Sequence, residues 1–498
     1  MDKLHQALRR YFGYHAFKKG QETIIKSVLE GRDTVAMLPT GGGKSLCYQL
    51  PGLLLDGTVL IVSPLLSLME DQVQQLKMRG EKRAAALNSA LTHKEKNDVL
   101  NRLHRLKYLY ISPEALQSGQ MLKKLQLLNV SLFVVDEAHC ISQWGHDFRP
   151  DYSKLGDIKA LLGHPVTLAL TATATEATLK DISEILGLKA ANYLIHSVDR
   201  PNIALHIEKL RDTAEKTERL TGLVQKLQGP GLVYCPTRKW AEELADKLRK
   251  EANLRTGFYH GGMEASDRML IQQQFIRNQL DVVCCTNAFG MGVDKPDIRY
   301  VIHFSLPQTI EAYLQEIGRA GRDGKRSVSI LLKAPGDEEI QEQLIQMEAL
   351  SQSDIGFLYE KLAGVKDERC RREALQLAGL SETQARHFLH LYEKVHHLGG
   401  DGRAVIQREM DSRRQLKLKK AAGFAAVTET EGCFRESLLA YFNEQKKPPK
   451  TDETACCTSC GLSLEAYEVK GDRPSMNKLT AWEEELDAIF AASCDRVC

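Results

Sequence analysis

Val35-Ala-Met-Leu38-Pro-Thr-Gly-Gly-Gly-Lys44-Ser45 is the stretch that decides the fold. An apolar run of strand length enters a glycine-rich turn, and a helical pattern follows. In a P-loop of this kind, glycines let backbone N–H groups close around phosphates, the lysine reaches the terminal phosphates, and the serine hydroxyl can bind Mg²⁺. A purely structural turn is the alternative. We favour an ATP site built from Thr40, Gly41, Gly42, Gly43, Lys44 and Ser45.

A second strand pattern, Leu132–Val135, ends in two acids, Asp136 and Glu137. The carboxyl ends of strands are where open α/β sheets bind their ligands. Asp136 can hold the magnesium ion, and Glu137 can orient or activate the attacking water, which are the two roles that phosphoryl transfer requires. Paired acids at a strand end are often only a solvated turn. Together with the upstream P-loop they indicate an ATPase.

The third component is Gln315-Glu-Ile-Gly-Arg319-Ala-Gly-Arg322-Asp-Gly324. Arginines three positions apart share a helix face, and a planar guanidinium suits the γ-phosphate. We therefore predict that Gln315, Arg319 and Arg322 complete the ATP site. Loss of such an arginine finger commonly costs about a thousandfold in turnover. If the finger and the P-loop lie in different domains, hydrolysis is coupled to domain closure, as a motor needs.

Apolar runs alternate with helical patterns along the first two thirds of the chain, which predicts parallel sheets covered by helices. The pattern restarts after Asp199-Arg-Pro-Asn202, so we expect two α/β domains joined near residue 203. The remaining predicted strands are Thr58–Val62, Tyr108–Ile111, Val166–Leu170, Gly231–Cys235, Phe258–His260, Asp281–Thr286, Tyr300–Phe304 and Ser327–Leu332.

Length, composition and net charge narrow the class of protein. A chain of 498 residues exceeds one hydrophobic core and predicts three or four domains. With 43% hydrophobic and 27% charged residues and no long apolar run, neither membrane insertion nor disorder is expected. The amino terminus does not resemble a secretory signal, so we expect a cytoplasmic protein. The net charge of +2 means that phosphate contacts must come from local basic patches.

Further motifs carry a family resemblance. Ser63-Pro-Leu-Leu-Ser67, Leu170-Thr-Ala-Thr-Ala174 and Phe289-Gly-Met-Gly292 resemble the superfamily-two helicase set, which is spread over two RecA-like domains. Asp136-Glu-Ala-His-Cys-Ile-Ser-Gln-Trp-Gly-His-Asp-Phe-Arg-Pro-Asp-Tyr152 resembles the aromatic-rich loop of the RecQ family. The resemblance covers about residues 8–335 and resumes at about 410–460. It implies DNA-stimulated hydrolysis of Mg-ATP and 3′-to-5′ translocation on single-stranded and forked DNA.

The resemblance also implies a role in DNA recombination and repair, single-stranded-DNA-binding protein as a candidate partner, and association with the nucleoid in a bacterium. Tyr14 and Gln21 match the adenine-recognition motif, where Lys18 stands in place of the family's usual arginine. Aromatic faces stack on any base, which makes the loop a candidate DNA sensor that relays to Glu137. The alternative is that Trp144 and Phe148 are core residues. The predicted DNA-binding residues are Ser142, Gln143, Trp144, His146, Phe148 and Arg149.

The strand signal fades beyond about residue 335. Ser381-Glu-Thr-Gln384 resembles a capping box that opens a helix with Ala385, Phe388, Leu389, Tyr392 and Val395 on one face. We predict either a plain helix packed on the motor or a winged-helix-like DNA reader. A basic run at Arg413, Arg414, Lys417, Lys419 and Lys420 is either a solvated helix face or a phosphate contact.

Four clustered thiols, Cys433, Cys456, Cys457 and Cys460, predict a tetrahedral zinc site in a small module. Because Cys456 and Cys457 are adjacent, one of them could be a bystander, or the site could be degenerate. Only 38 residues follow Cys460 in this sequence, so we expect no winged-helix domain after the cysteines. Residues 340–410 are then the candidate unwinding element, which is typical of a short bacterial form of the family.

The predicted division is two RecA-like helicase domains at 1–203 and 204–338, a helical or winged-helix-like segment at 339–425, a zinc-binding module at 426–465 and a tail helix at 466–498. The predicted activity is that of an ATP-dependent DNA helicase. An RNA helicase shares the motor motifs and remains an alternative. A second alternative is a nucleic-acid-binding scaffold that uses ATP only as a conformational switch.

Overall fold

The computed structural model describes residues 3–88, 91–142, 148–289, 295–365, 367–396, 401–445 and 456–469. Two parallel sheets form the centre of the described fold, and helices cover them. The strands are β1 Thr34–Met37, β2 Thr58–Val62, β3 Ala84–Leu87, β4 Tyr108–Ile111, β5 Val130–Val135, β6 Thr167–Thr171, β7 Asn192–Ile195, β8 Ile203–Lys209, β9 Gly231–Tyr234, β10 Thr256–Tyr259, β11 Val282–Cys285, β12 Tyr300–His303 and β13 Ser327–Lys333.

The helices cover both sheets and continue past the last strand. They are α1 Lys3–Phe12, α2 Gln21–Leu29, α3 Leu46–Leu54, α4 Leu66–Met78, α5 His93–Asn101, α6 Pro113–Leu116, α7 Gly119–Leu125, α8 Leu155–Leu161, α9 Glu176–Ile185, α10 Thr213–Lys226, α11 Arg238–Glu251, α12 Ala265–Ile276, α13 Ile310–Ile317, α14 Asp337–Met347, α15 Gln352–Ala363, α16 Glu368–Leu377, α17 Glu382–His396, α18 Gly402–Thr428 and α19 Phe434–Ala440. Short 3₁₀ turns span Leu103–Arg105, Ala138–Ile141, Pro150–Lys154, Thr458–Cys460 and Leu464–Tyr467.

The first sheet has seven strands in the order β3-β4-β2-β5-β6-β1-β7, and the second has six in the order β10-β11-β9-β12-β13-β8. Each adjacent pair is parallel. The inner strands are buried on both faces, as sheets sandwiched between helices require. We call the two units lobe 1 and lobe 2, and residues 196–202 between β7 and β8 the inter-lobe linker.

The fold class predicted from the sequence, two tandem RecA-like parallel-sheet domains with a helical region behind them, is confirmed. Every predicted strand overlaps an observed one. Three observed strands escaped the pattern. Strand β3 is alanine-rich and has weak strand propensity, while β7 and β8 lie at sheet edges with part-exposed residues. The domain boundaries stay a prediction.

Helices α15–α18, which follow lobe 2 in the sequence, form a separate apolar cluster that we call the helical segment. The predicted capping box is present, because Ser381 Oγ accepts from Gln384 N while Gln384 Oε1 accepts from Ser381 N. The predicted apolar face of α17 is buried. No strand occurs among the described residues of 339–425, so the described part of this segment is helical without a wing. The predicted tail helix lies outside the described residues from position 470 onward.

Residues 433–445 and 456–469, here called the cysteine module, attach to the edge of the second sheet. Leu205 N on the edge strand β8 donates to Cys456 O at 3.2 Å, and Ile207 N donates to Thr458 Oγ1 at 2.8 Å. Phe434, Leu438 and Cys457 join the core of lobe 2. The module therefore covers an edge that would otherwise present open backbone groups.

In the part of the chain that the structure describes, no helix is both long enough and apolar enough to cross a membrane.

A buried ion pair joins α10 to the start of α14 in lobe 2. Lys216 Nζ lies 2.7 Å from Asp337 Oδ1 and 4.7 Å from the centre of the Phe304 ring, and the two charged side chains are 2% and 3% exposed. Lys216→Met leaves Asp337 buried without its cation, so we expect the free energy of unfolding of lobe 2 to fall by about 3–5 kcal/mol. Urea denaturation followed by circular dichroism measures this change.

Lys239→Met is the matched control, because Lys239 and Glu243 form an ion pair whose side chains are 84% and 53% exposed. Exposed pairs contribute about 0–1 kcal/mol, so this variant should unfold near the wild-type midpoint. Equal midpoints for the two variants would show that the buried pair adds no stability.

Candidate functional site

A cavity of about 520 Å³ lies between the two lobes. Lobe 1 contributes its P-loop and acidic pair, and lobe 2 contributes Pro296, Gln315 of α13, and Arg319 and Arg322 from the turn after α13. All predicted nucleotide-site residues except Gly42 line it, and the Gly42 backbone closes the P-loop turn by donating to Pro39 O at 2.8 Å. The lining residues named in advance are Tyr14, Lys18, Gln21, Thr40, Gly41, Gly43, Lys44, Ser45, Asp136, Glu137, Gln315, Arg319 and Arg322.

Lys44 and the acidic pair form the charged floor of the cavity. Lys44 Nζ lies 2.8 Å from Glu137 Oε1. Burial would by itself lower the pKa of Lys44, but the negative charges of Glu137 and Asp136 outweigh it and the pKa is raised. The lysine is therefore held as a cation beside the acids, in position for a phosphate.

Asp136 follows strand β5 and has the electrostatics of a cation site. Its burial, together with the nearby charge of Glu137, raises its pKa to about 6, although Lys44 pulls the pKa the other way. A buried carboxylate with a like-charged neighbour gains most from a bound cation. Ser45 lies at the start of α3 and lines the same cavity, so the two residues fit a Mg²⁺ ion.

Glu137 has an unusual backbone for a non-glycine residue, with φ 47°. Left-handed positions of this kind are costly and concentrate at functional sites. Behind it, His139 Nδ1 lies 3.4 Å from Glu137 Oε2 and 3.0 Å from Thr171 Oγ1, at the end of β6. The carboxylate is thus connected through His139 to the Thr-Ala-Thr motif of the neighbouring strand.

The adenine-recognition motif supports the P-loop from outside. Gln21 is buried, and its Nε2 donates to the carbonyls of Gly42 and Gly43, both at 3.1 Å. Lys18 Nζ donates to Gly41 O at 2.9 Å. Tyr14 is half exposed at the cavity rim, where a ring is available for stacking. The lysine in place of arginine therefore contacts the loop backbone in this structure.

Lobe 2 approaches the P-loop very closely. A Cβ atom on Gly41 would lie 2.9 Å from Arg322 Cγ, and a Cβ atom on Gly318 would lie 2.6 Å from Thr40 Cβ. Of the two predicted finger arginines, Arg322 therefore reaches the P-loop of the other lobe. Only glycine at these two positions leaves room for that approach.

Arg200 in the inter-lobe linker is a site residue that sequence reasoning missed. Its Nη1 donates to Thr40 O of the P-loop at 2.5 Å and to Gly318 O of lobe 2 at 3.1 Å, and its Nη2 donates to Ala320 O and Gly321 O. Burial and nearby Arg322 lower the pKa of Arg200 to about 10, so it stays charged at neutral pH. The sequence did contain a signal, because Arg200 lies in the Asp199-Arg-Pro-Asn202 stretch. That stretch was interpreted only as the boundary between the two domains.

The candidate DNA loop is only partly described, since Gln143, Trp144 and His146 lie outside the described residues. Ser142 is buried and donates to Asp181 Oδ2 at 2.5 Å. Arg149 Nη1 donates to Pro64 O at 3.0 Å. Phe148 is 3% exposed, so its ring faces protein here, as in the core-residue alternative. Binding of DNA by these residues stays a prediction.

The helical segment packs against this loop. The Phe148 ring lies 6.0 Å from the His387 ring and 5.2 Å from Arg413 Cζ, and Arg386 pairs with Glu114 of lobe 1. Three other cations of the predicted basic run have acidic partners, namely Arg414 with Asp411, Lys417 with Glu348, and Lys420 with Glu311. Lys417 and Lys420 therefore bind acids of other elements, whereas Arg414 pairs within its own helix, and binding of phosphate by the run stays a prediction.

The four predicted zinc ligands converge. The sulfurs of Cys433, Cys456, Cys457 and Cys460 all lie within 4.8 Å of one another, with separations of 3.6 Å for Cys433 to Cys456 and 3.6 Å for Cys457 to Cys460. Four sulfurs at the usual Zn–S distance of about 2.3 Å are about 3.8 Å apart in a tetrahedron. The geometry therefore fits a zinc ion and gives adjacent Cys456 and Cys457 a place in the same cluster.

Comparison with known proteins agrees with this geometry. Residues 18–182 match the DEAD/DEAH box helicase family, and residues 215–324 match the helicase conserved C-terminal domain. The chain is 59% identical over 493 residues, 99% of this chain and 98% of the relative, to the probable ATP-dependent DNA helicase RecS of Bacillus subtilis. It is 40% identical over 395 residues to the ATP-dependent DNA helicase RecQ of the same organism, covering 77% of this chain and 66% of the relative.

The chain belongs to the RecQ family of ATP-dependent DNA helicases. The RecQ protein of Haemophilus influenzae is 45% identical over 332 residues, covering 66% of this chain but only 53% of that relative. This RecQ-family chain thus matches a short relative over its whole length and longer relatives over the shared motor.

Solved structures of other helicases share the fold of this RecQ-family motor. The helicase Lhr of Mycobacterium smegmatis bound to single-stranded DNA and AMP-PNP has a TM-score of 0.57 at 20% identity, over 77% of this chain and 57% of that one. Mss116p bound to single-stranded RNA and AMP-PNP has a TM-score of 0.57 at 19% identity, over 85% and 90%. At these identities the likeness shows the architecture alone.

The contacts of Arg200 predict a defect in turnover. A lysine cannot make four directional hydrogen bonds at once, so Arg200→Lys should leave the P-loop and α13 out of register. We expect kcat for DNA-stimulated ATP hydrolysis to fall by about 10- to 100-fold, a typical cost of misplacing reacting groups. A coupled ATPase assay at saturating DNA measures it.

Arg299→Lys serves as the control, because the Arg299 guanidinium also binds backbone carbonyls, those of Pro296, Asp297 and Arg326, but within lobe 2 alone. It should turn over near the wild-type rate. If the two variants lose activity equally, the bridge between lobes is not what matters.

Proposed function

We propose that this RecQ-family chain unwinds duplex DNA with 3′-to-5′ polarity by coupling hydrolysis of Mg-ATP to movement along single-stranded DNA. The observation that carries the proposal is the cavity that both lobes line, with the P-loop on one side and Arg319 and Arg322 on the other. A site completed across two bodies responds to their separation. Opening and closing of the lobes is thereby tied to each turnover.

The site residues divide into five roles. Tyr14, Lys18 and Gln21 recognise the adenine end, and the P-loop from Thr40 to Ser45 holds the phosphates. Ser45 and Asp136 hold the magnesium ion, which would supply charge neutralisation at the phosphates when bound. Glu137 orients the attacking water. Gln315, Arg319 and Arg322 stabilise the charge that develops on the transferred phosphoryl group.

DNA sensing belongs to the loop that follows the acidic pair. We propose that Ser142, Gln143, Trp144, His146, Phe148 and Arg149 contact single-stranded DNA and report its presence to Glu137. The hydrogen bond between His139 and Thr171 and the proximity of His139 to Glu137 support such a route, because they link the loop's base to the water-orienting acid. Forked and single-stranded DNA are the proposed substrates.

In the cell, we propose a role in DNA recombination and repair in the cytoplasm, at the nucleoid. Single-stranded-DNA-binding protein is the proposed partner, because it covers the strand that unwinding exposes. The similarity to RecS and RecQ proteins, which are named DNA helicases, supports DNA as the substrate in this role. The proposed domains are those set out from the sequence, with the zinc module at 426–465 attached to lobe 2.

Strand-displacement assays on 3′-tailed, 5′-tailed and forked duplexes test the main proposal. We expect unwinding of the 3′-tailed and forked substrates, and none of the 5′-tailed duplex. Lys44→Ala removes the cation that faces the phosphates, so it should abolish ATP turnover and unwinding while leaving DNA affinity largely unchanged. Lys19→Ala, at an exposed lysine that does not line the cavity, is the control and should retain unwinding.

Two results would contradict the proposal. Unwinding that survives Lys44→Ala would disconnect strand separation from ATP hydrolysis and refute the proposed coupling. ATP turnover stimulated more by RNA than by single-stranded DNA would favour an RNA helicase.

The sulfur cluster predicts about one tightly bound zinc ion per chain in the purified protein. Cys460→Ser removes one ligand, so zinc content and thermal stability should both fall, since metal binding contributes to folding of such modules. Elemental analysis and thermal denaturation of the same preparation measure both. Cys370→Ser changes an exposed cysteine outside the cluster and should keep its zinc. Wild-type protein without zinc, or full zinc content in Cys460→Ser, would refute the site.

A further inference from the structure

The side chain of Arg319 is held by a tyrosine within its own lobe. Arg319 is 5% exposed and lines both the nucleotide cavity and a second cavity of about 360 Å³ in lobe 2. Its Nε donates to Tyr234 Oη at 2.8 Å. Because the guanidinium is planar, a hydrogen bond at Nε fixes the plane and therefore the direction of both terminal nitrogens.

Tyr234 is itself held on three sides. It ends strand β9, is 4% exposed, and its hydroxyl donates to Phe289 O at 3.1 Å while accepting from Arg319. Its ring stacks on His303 at 5.3 Å and 14°. Burial raises the pKa of Tyr234 well above its ordinary value, so the hydroxyl keeps the proton that it donates.

The His303 ring closes the arrangement into a loop of contacts. His303 ends strand β12, and its Nε2 lies 2.8 Å from Glu316 Oε2. Glu316 is in the last turn of α13, three positions before Arg319. The ends of β9, β12 and α13 are thereby connected by side-chain contacts. Arg319 is fixed both through Tyr234 and through Glu316, which precedes it on the same segment.

We propose that Tyr234 is a positioning residue for ATP hydrolysis, which orients the Arg319 guanidinium toward the terminal phosphate through its hydroxyl. This inference rests on the proposed role of Arg319 as a finger. Phe289, whose carbonyl receives the Tyr234 hydroxyl, directly precedes the Gly-Met-Gly motif of lobe 2.

Tyr234→Phe tests the hydroxyl alone, because the ring and its stacking on His303 are kept. We expect kcat for DNA-stimulated ATP hydrolysis to fall by about 10-fold or more, as misplaced reacting groups do. KM for ATP should change little, because the P-loop and adenine contacts are in lobe 1. Rates are divided by the concentration of nucleotide-binding sites found by titration, so that loss of folded protein does not imitate the effect.

Tyr313→Phe is the matched control. Tyr313 is fully buried, packs against the same His303 ring at 5.1 Å, and its hydroxyl bonds to Ser329 rather than to an arginine. It should keep a kcat near the wild-type value. A Tyr234→Phe rate equal to that of wild type or of Tyr313→Phe would overturn the proposal.

The double variant Tyr234→Phe with Arg319→Ala identifies the route of the effect. If the tyrosine acts through the arginine, the double variant should turn over no more slowly than Arg319→Ala alone. A further loss in the double variant would show an independent role and overturn the inference. If Arg319→Ala alone keeps wild-type turnover, the finger assignment fails instead, which separates the two hypotheses.

Discussion

The arrangement of the two lobes depends on the guanidinium of Arg200, which donates hydrogen bonds to backbone carbonyls of both lobes. Arg200 holds Thr40 of the P-loop on one side and the end of α13 on the other. Without such a bridge, the nucleotide cavity would consist of two unrelated half-sites. With it, the P-loop of lobe 1 and the arginines of lobe 2 line one cavity, so the distance between the lobes sets the geometry of the site.

The cysteine module also acts on the linker that carries this bridge. Arg435 of α19 pairs with Asp199 at 2.5 Å and donates to Cys456 O at 3.2 Å, while Glu444 accepts from Val198 N at 3.0 Å. The neighbours of Arg200 are thus held by the cysteine module, which also contains the four clustered thiols. Folding of that module therefore affects the linker, and through the linker it affects how the two lobes are aligned.

Sequence reasoning succeeded where chemistry is contiguous along the chain. The P-loop, the acidic pair and the paired arginines are short motifs at strand or helix ends, so their convergence follows once the parallel sheets are recognised. Arg200 and Tyr234 could not be found this way, because their roles come from partners that are distant in sequence. The contact between Phe148 and Arg413 was missed for the same reason, and alanine-rich β3 was missed because it lacks β-branched residues.

Gly318 has a consequence that reaches beyond its own backbone. The space beside its Cα is occupied by Thr40 of the opposite lobe, at a separation that no side chain would permit. Even a methyl group there would act as a spacer between the lobes and would move Arg319 and Arg322 away from the P-loop side of the cavity. Gly318 therefore limits how closely lobe 1 and lobe 2 can approach each other, although it has no side chain that could bind a ligand.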